Sequence, residues 1–254
     1  MEKYAQTAKR KISAVHVPET DRRESQQQDR AQQDRAQVVR NGVVSAILEH
    51  RLHPGTKLGE DDLGKIYGVS RTLVRLALQT LAREGIVVIK KNRGAFVTRP
   101  SIAQTKEVFE ARRLIEPAIA ARAAQRATPA FAKALDAHLI EEAASLARHD
   151  EQANIRLSGD FHLLVAQMSG HSVFQSMLGE LITRSSLSIL MYKSSREHLC
   201  GVDHHREIAD AIVSGNGARA GSLMVHHLDE IEHGLELKAD SAPRKGLERI
   251  LAAR

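Results

Sequence analysis

The chain is poor in cysteine and in aromatic residues, and it contains no tryptophan. Its single cysteine, Cys200, excludes an internal disulfide and a zinc site built from several cysteines. Aromatic residues make up only 3% of the 254 residues, which argues against binding of single-stranded nucleic acid by stacked bases. No apolar run approaches the roughly 18–20 residues needed to span a bilayer, and the N-terminus lacks the apolar core of a signal peptide. We therefore expect a soluble, cytoplasmic protein.

The positive charge of the chain, a formal net charge of +6, is concentrated in one segment. Residues 37–100 contain 11 basic and 5 acidic residues, whereas residues 101–238 contain 14 basic and 18 acidic residues and ten of the 13 histidines. Two adjacent segments of opposite charge indicate two domains with different partners. We place the first domain at 37–100, where an anionic partner is expected, the second at 101–238, and a C-terminal tail at 239–254.

The first 36 residues are polar and contain a tandem repeat, QQDRA, at Gln27–Ala31 and again at Gln32–Ala36. They include too few apolar residues to form a core of their own. We expect a flexible arm over residues 1–36, with extension of the following helix as the alternative.

Helical spacing of apolar residues begins near Val38 and stops at the breaker Pro54-Gly55. A short second helix is predicted over Glu60–Tyr67, and a third from Arg71 to about Arg83, with Ser70 as its N-cap. This is the pattern of a helix-turn-helix, whose second helix presents its N-terminal end to the major groove. The residues expected in the core are Leu63, Ile66, Val74, Ala77, Leu78 and Leu81, and those exposed at the start of the third helix are Arg71, Thr72 and Arg75.

A basic hairpin follows these helices. Two β-branched runs, Ile86–Ile89 and Ala95–Thr98, flank a turn that contains glycine, which predicts a β-hairpin. The turn carries three cations, an unfavourable cluster unless an anion lies near. A winged helix-turn-helix explains both features; a solvated helix pair with a charged hairpin is the alternative. The cations of the turn are Lys90, Lys91 and Arg93.

Three stretches of this segment resemble the signature of the GntR family of bacterial transcription regulators: Ser70–Leu78, Leu81–Val87 and Arg93-Gly94. The sequence departs from that signature at Leu73, where the family commonly has Pro, and at Leu76, where it commonly has Glu.

The resemblance implies roles for the DNA-facing residues. Arg71, Thr72 and Arg75, which follow the cap Ser70, would meet bases or phosphates, and the Arg93-Gly94 tip would lie at the minor groove. Arg71 and Arg75 are the best candidates for reading bases, because Arg pairs bidentately with a guanine edge. Lys90 and Lys91 fit phosphate contacts, which strengthen binding without carrying sequence information.

Residues 101–238 show helical patterns in succession and almost no strand signal. Ser101 caps a first helix, and Thr128-Pro129 opens a second with Pro at its first position. Later breaks fall at 169–171 and 214–217. The fold class expected for the whole chain is mainly α: a winged helix-turn-helix followed by an all-helical antiparallel bundle.

Three histidines on three of these helices fall on apolar stripes: His162, His205 and His227. A buried imidazole needs a partner, and three that converge are most economically satisfied by a divalent metal. The alternative is that each is an ordinary core histidine bonded to backbone or water. Arg112 continues an apolar stripe on the first helix of the bundle, so it also points inward.

This region resembles the FCD ligand-binding domain of the FadR-like branch of GntR regulators. The similarity rests on Glu110–Glu116, Asp160-Phe161-His162, His205–Ile208 and the run Ala220…Met224…His227-Leu228. It implies a metal, Zn or Ni, held by His162, His205 and His227. Ser158 occupies the position of the family's fourth ligand, usually Asp or Asn, and a hydroxyl there is a weak ligand. It also implies that Arg112 binds a carboxylate effector; an internal pairing with Glu116 is the alternative.

These features together indicate a dimeric bacterial transcription regulator, more specifically a repressor, that binds a pseudo-palindromic operator and responds to a small carboxylate-bearing metabolite. The dimer is implied by the family resemblance alone. Two other functions are compatible with parts of the pattern. A metal-dependent hydrolytic enzyme would also use three histidines with an open metal position, although no HExxH motif is present. An architectural DNA-binding protein would need no effector.

Overall fold

The computed structural model describes residues 19–193 and 202–237, which form mostly helices and one small sheet. The predicted fold class is confirmed. The helices are α1 (Glu19–Leu48), α2 (Glu60–Tyr67), α3 (Arg71–Arg83), α4 (Ile102–Gln125), α5 (Pro129–Ala147), α6 (Glu151–Met168), α7 (Ser172–Tyr192), α8 (Val202–Val213) and α9 (Gly217–His233), and the strands are β1 (Lys57–Leu58), β2 (Val87–Lys90) and β3 (Gly94–Val97).

The first part of the described chain, from α1 to β3, forms a winged helix-turn-helix, called the DNA head below. The turn between α2 and α3 depends on Gly68, which ends α2 in the left-handed conformation (φ 61°). The Ser70 side chain then accepts a hydrogen bond from Leu73 N and caps α3. β2 and β3 form an antiparallel hairpin in which Val88 faces Phe96, and the short β1 pairs with the other edge of β3.

Two expectations about this part of the chain are wrong. Ile66 does not face the core: 71% of its surface is exposed, whereas Leu63 is buried as expected. Residues 19–36 are not a loose arm, because they form the N-terminal part of α1. Ala36 and Val39 of this helix pack with Leu73 in a small buried cluster, and that contact favours continuation of the helix. Residues 1–18 of the predicted arm, and the tail at 239–254, lie outside the described residues.

Helices α4 to α9 form the bundle. Helix α4 is its central element and packs against α6, α7, α8 and α9. The predicted caps Ser101 and Thr128, with Pro129 at the first turn of α5, are confirmed, and Ser101 forms a capping box with Gln104. Gly217 and Gly221 of α9 lie against the backbone of α4, so these two helices approach closely. Since α4 carries Arg112 and α9 carries His227, that approach brings two candidate site residues together.

Helix α7 belongs to both parts of the molecule. Leu187, fully buried, is a member of the apolar core of the DNA head, and Leu190 packs against the same core. Leu178 and Ile182 of the same helix lie in the core of the bundle. The head is therefore joined to the bundle by a shared helix and not only by a linker. None of the described helices has the length and apolar character required to cross a membrane.

Candidate metal centre and DNA-binding surface

The three predicted histidines meet in the centre of the bundle. His162 comes from α6, His205 from α8 and His227 from α9, and each exposes 2% of its surface or less. Nε2 of His227 lies 3.1 Å from Nε2 of His205 and 3.3 Å from Nε2 of His162. One ligand atom from each residue falls within a single group whose members are all within 4.8 Å of one another.

The apolar stripes predicted from the sequence place these side chains. A buried apolar residue lies about one turn after each histidine on the same helix: Val165 after His162, Ile208 after His205 and Ile231 after His227. Phe161 also stacks on the His205 ring, with the ring centroids 4.1 Å apart and the ring planes inclined by 19°. The imidazoles are thus held by packing on helices, which is the support that a precise ligand geometry needs.

Two buried carboxylates orient the outer nitrogens of the histidines. His162 Nδ1 lies 2.5 Å from a Glu116 oxygen, and His205 Nδ1 lies 2.9 Å from both oxygens of Glu142. A carboxylate that accepts from Nδ1–H fixes the imidazole tautomer and leaves Nε2 available as a ligand. Both glutamates are buried, with 1% exposure or less.

The electrostatic environments of the two glutamates differ. Burial raises the pKa of Glu116, but Arg112 and His162 beside it outweigh burial and lower this pKa to about 2. Burial also raises the pKa of Glu142, and because no guanidinium is among the groups that oppose it, the value reaches about 7. Burial holds the pKa values of His205 and His227 well below the usual value for histidine. Both imidazoles are therefore neutral at neutral pH, which is the form that binds metals.

The donor set fits a divalent cation. When Nδ1 of His162 and of His205 donates to its carboxylate, both Nε2 atoms present lone pairs towards His227 Nε2. A proton on His227 Nε2 can be donated to only one of these two lone pairs at a time. A cation, by contrast, can bind the Nε2 lone pairs of all three histidines. Three imidazoles with carboxylates on their outer nitrogens suit zinc, and imidazole also suits nickel.

Arg112 points into the bundle, as expected, and is 2% exposed. Its Nε donates to Glu116 at 2.6 Å, so the internal pairing considered from the sequence is present, and its Nη1 donates to Ser185 Oγ at 3.1 Å. Among the described residues, Arg112 Nη2 is a buried donor without a hydrogen-bond partner. Glu116 thus lies between Arg112 and His162 and joins the arginine to the histidine cluster.

Ser158 lies one helical turn before His162 on α6 and is half-buried. Its role as a fourth ligand stays a prediction.

Sequence reasoning missed Glu142, although a signal for it was present. Leu135 and Leu139 precede it on α5 by seven and three residues, and both are fully buried. That spacing places Glu142 on the same inward stripe. A carboxylate on an apolar stripe needs a partner from another helix, here His205.

The predicted recognition surface is exposed at the N-terminal end of α3. Arg71, Thr72 and Arg75 are all exposed there, next to the cap Ser70. The structure also shows two ion pairs that the sequence did not suggest. Arg71 Nε lies 2.6 Å from Asp61, and Arg75 Nε lies 2.8 Å from Glu60; both carboxylates lie in the first turn of α2. Exposed pairs of this kind are weak, so these arginines can exchange carboxylate for DNA at little cost.

The wing carries its cations at an exposed tip. Lys90, Lys91 and Arg93 are exposed around a turn in which Asn92 (φ 59°) and Gly94 (φ 94°) have positive φ. Lys90 Nζ lies 5.1 Å from the centroid of the Phe96 ring, which supports its position over β3. A further cation was missed by sequence reasoning: Lys57, on β1, lies beside the tip glycine.

Comparison with known proteins finds family matches over the regions that contain the two candidate sites. The profile of bacterial regulatory proteins of the gntR family matches residues 35–97, and that of the FCD domain matches residues 107–230. The chain is 26% identical to the HTH-type transcriptional repressor RspR of Escherichia coli K12, over 78% of this chain and 86% of that protein. It is 31% identical to an HTH-type transcriptional regulator in an unstable DNA locus of Streptomyces ambofaciens, over 77% and 86% of the two chains.

Solved structures show the same fold. A GntR transcriptional regulator from Rhodococcus sp. RHA1 aligns with a TM-score of 0.67 and 24% identity, over 87% of this chain and 99% of that one. McbR/YncC of E. coli aligns with a TM-score of 0.71 and 17% identity, over 78% and 95%.

Replacing Glu142 by Gln tests the metal centre. The amide keeps the shape of the side chain but lacks the negative charge with which the ionised carboxyl strengthens the hydrogen bond from His205 Nδ1–H and the basicity of Nε2. We expect zinc affinity, measured by competition with a chelating dye, to fall about 10–100-fold. The control is Glu141→Gln, the exposed neighbour on α5, which should bind zinc like the unmodified protein. Equal affinity in both variants would show that Glu142 does not support a metal ligand.

Proposed function

Because the chain belongs to the gntR family of bacterial transcription regulators and carries an FCD domain, we propose that it represses transcription by binding a pseudo-palindromic operator as a homodimer, and that a small carboxylate-bearing metabolite controls this binding with the help of a metal ion. The observation that carries the proposal is the buried cluster of three histidines joined through Glu116 to Arg112. The name of RspR, a transcriptional repressor, supports the choice of repression. A cytoplasmic location follows from contact with the chromosome.

The operator contacts are assigned to α3 and to the wing. Arg71, Thr72 and Arg75 enter the major groove with the first turns of α3, and Arg71 and Arg75 read bases. Lys90 and Lys91 contact phosphates, and the tip Arg93-Gly94 reaches the minor groove. Two heads of a dimer must match the spacing of two half-sites, so a small change in their separation alters affinity strongly.

The sensing role is assigned to the histidines and Arg112. When bound, a divalent metal supplies a Lewis acid that holds an anionic oxygen of the effector. Arg112 offers the second anchor, because its unpartnered Nη2 is a buried cationic donor and a carboxylate is the acceptor that suits a guanidinium.

Helix α7 offers a physical route from this site to the DNA. Ser185 and Ser188 face the bundle, where they bond to Arg112 and Thr105. One residue before each of them, Arg184 and Leu187 face the head. A rotation or shift of α7 that follows a change at Arg112 therefore reaches the head directly.

On the head side of α7, Arg184 makes a directional hydrogen bond to the DNA head. Its Nε donates to the backbone oxygen of Glu84, the C-cap residue that follows α3, at 2.7 Å. The Glu84 side chain in turn pairs with Arg40 of α1. One residue thus links α7 to the end of the recognition helix and to α1. We assign to this link the transfer of the effector signal.

The metal-dependent enzyme is disfavoured, because both matching families and the relatives are transcription regulators. The architectural alternative predicts no response of DNA affinity to metal or carboxylates. It also leaves the buried histidine cluster without a role.

The Arg75→Ala variant tests base reading by α3. An operator is first selected from a random duplex library with the unmodified protein. The variant should bind this operator about 1–3 kcal/mol more weakly, because a bidentate contact to one base is removed. Fluorescence anisotropy on that duplex and on a scrambled one measures the effect. Arg83→Ala, at the far end of α3, is the control. An equal loss on both duplexes would demote Arg75 to a phosphate contact.

The Arg184→Ala variant tests the route through α7. In the unmodified protein, saturation with zinc should slow amide hydrogen exchange at Gly85 and Ile86, which follow the end of α3. In the variant, zinc should bind with the same stoichiometry but leave these amides unaffected, because the link to Glu84 is gone.

The matched control for this variant is Arg122→Ala. Arg122 also donates from Nε to a backbone oxygen, that of Ser169, but it joins two helices within the bundle. Its removal should leave the response at Gly85 intact. If Arg184→Ala keeps the response as well, the signal does not pass through Arg184.

A further inference from the structure

The histidine cluster is buried so deeply that an ion needs a defined way in. His162, His205 and His227 expose 2%, 0% and 1% of their surfaces. A hydrated divalent cation gives up water only when other ligands replace it, so a route without ligands would cost much of its hydration energy. The surroundings of the cluster therefore decide how quickly the ion enters and leaves.

Two sides of the cluster are closed by buried groups. Phe161, fully buried, stacks on His205 and covers that ring. The ion pair of Arg112 and Glu116, also buried, lies against His162. Neither side offers a path from solvent.

The third side carries two more histidines. The His204 ring, half-buried, lies with its centroid 5.9 Å from that of His227, and the His226 ring, exposed, lies 5.6 Å from that of His204. His226, His204 and His227 thus form a row of imidazoles that runs from solvent to the cluster.

The spacing in this row is similar to the spacing inside the cluster. The ring centroids of His162, His205 and His227 are 4.6 to 5.5 Å apart. Two imidazoles that share one tetrahedral ion have centroids roughly 5 Å apart, since each metal–nitrogen bond is about 2.1 Å. The centroid spacing is therefore compatible with one ion held by His226 and His204, and then by His204 and His227.

We propose that His204 and His226 form an outer metal-binding station through which a divalent ion reaches and leaves the buried site of His162, His205 and His227. The proposal rests on the metal centre proposed above. Each transfer breaks one bond from the ion to a water or imidazole and forms one to the next imidazole. The charge of the ion does not change, and no proton needs to move when both imidazoles are neutral.

A station on the route changes rates and not equilibria, and that distinction defines the test. Zinc loading is followed by stopped flow with a fluorescent zinc chelator, and release is followed after addition of excess EDTA, on the full chain. The variants are His226→Ala, at an exposed position, and His204→Phe, which keeps an aromatic ring against His227. We expect each variant to slow loading and release by about tenfold, which corresponds to the loss of one stabilising ligand during transfer. The zinc affinity and the stoichiometry should stay those of the unmodified protein.

The matched control is His233→Ala, because His233 is exposed on the same helix two turns beyond His226. It should load and release zinc at the unmodified rates. Unchanged rates in both His226→Ala and His204→Phe would overturn the station. A loss of equilibrium affinity in either variant would also overturn it, because the residue would then be a ligand of the final site. Failure of the unmodified protein to bind zinc at all would instead refute the metal centre itself.

Discussion

The Glu116 carboxylate is the group on which the interior of the bundle depends. One of its oxygens pairs with Arg112 and the other with His162, and all three side chains are buried. A buried guanidinium or carboxylate left alone would carry a large desolvation cost, so each of these groups requires its neighbour. The same contacts set the tautomer of His162 and the direction of the guanidinium. A shift of His162 therefore acts on Arg112 through the Glu116 carboxylate, and a shift of Arg112 acts on His162 through the same group.

That interior is placed next to the DNA head by α7. Its neighbouring residues alternate in their partners, since Arg184 and Leu187 belong to the head and Ser185 and Ser188 to the bundle. Residues 37–100, which include most of the head, have 11 basic and 5 acidic residues, whereas residues 101–238 are net acidic. A single helix with one polar side towards the bundle and one side in the core of the head therefore connects the two parts directly.

The sequence predicted well the features that depend on local spacing. Helices α2 and α3, the cap Ser70 and the wing follow from short-range patterns. The inward direction of His162, His205, His227 and Arg112 follows from 3.6-residue periodicity, because each sits on an apolar stripe.

Features that depend on long-range contacts were not predictable in the same way. Glu142 meets a histidine 63 positions away, and the Arg184 contact spans 100 positions. The error at Ile66 has the same origin: α2 has only eight residues, and the neighbours that bury Leu63 leave the Ile66 side open. Ala36, at the end of the 19–36 stretch, also has a tertiary contact that local spacing does not reveal, because it packs in a cluster with Leu73 of α3.

X-ray absorption spectroscopy on the zinc-loaded protein tests the central claim most directly, because it reports the ligands of the ion itself. The account predicts one zinc per chain, with three imidazole nitrogens at about 2.0–2.1 Å and a remaining light ligand. In the His205→Ala variant, the imidazole contribution to the zinc spectrum should be lost. A sulfur ligand, a shell of oxygens without imidazole, or the same spectrum in His205→Ala would contradict the account.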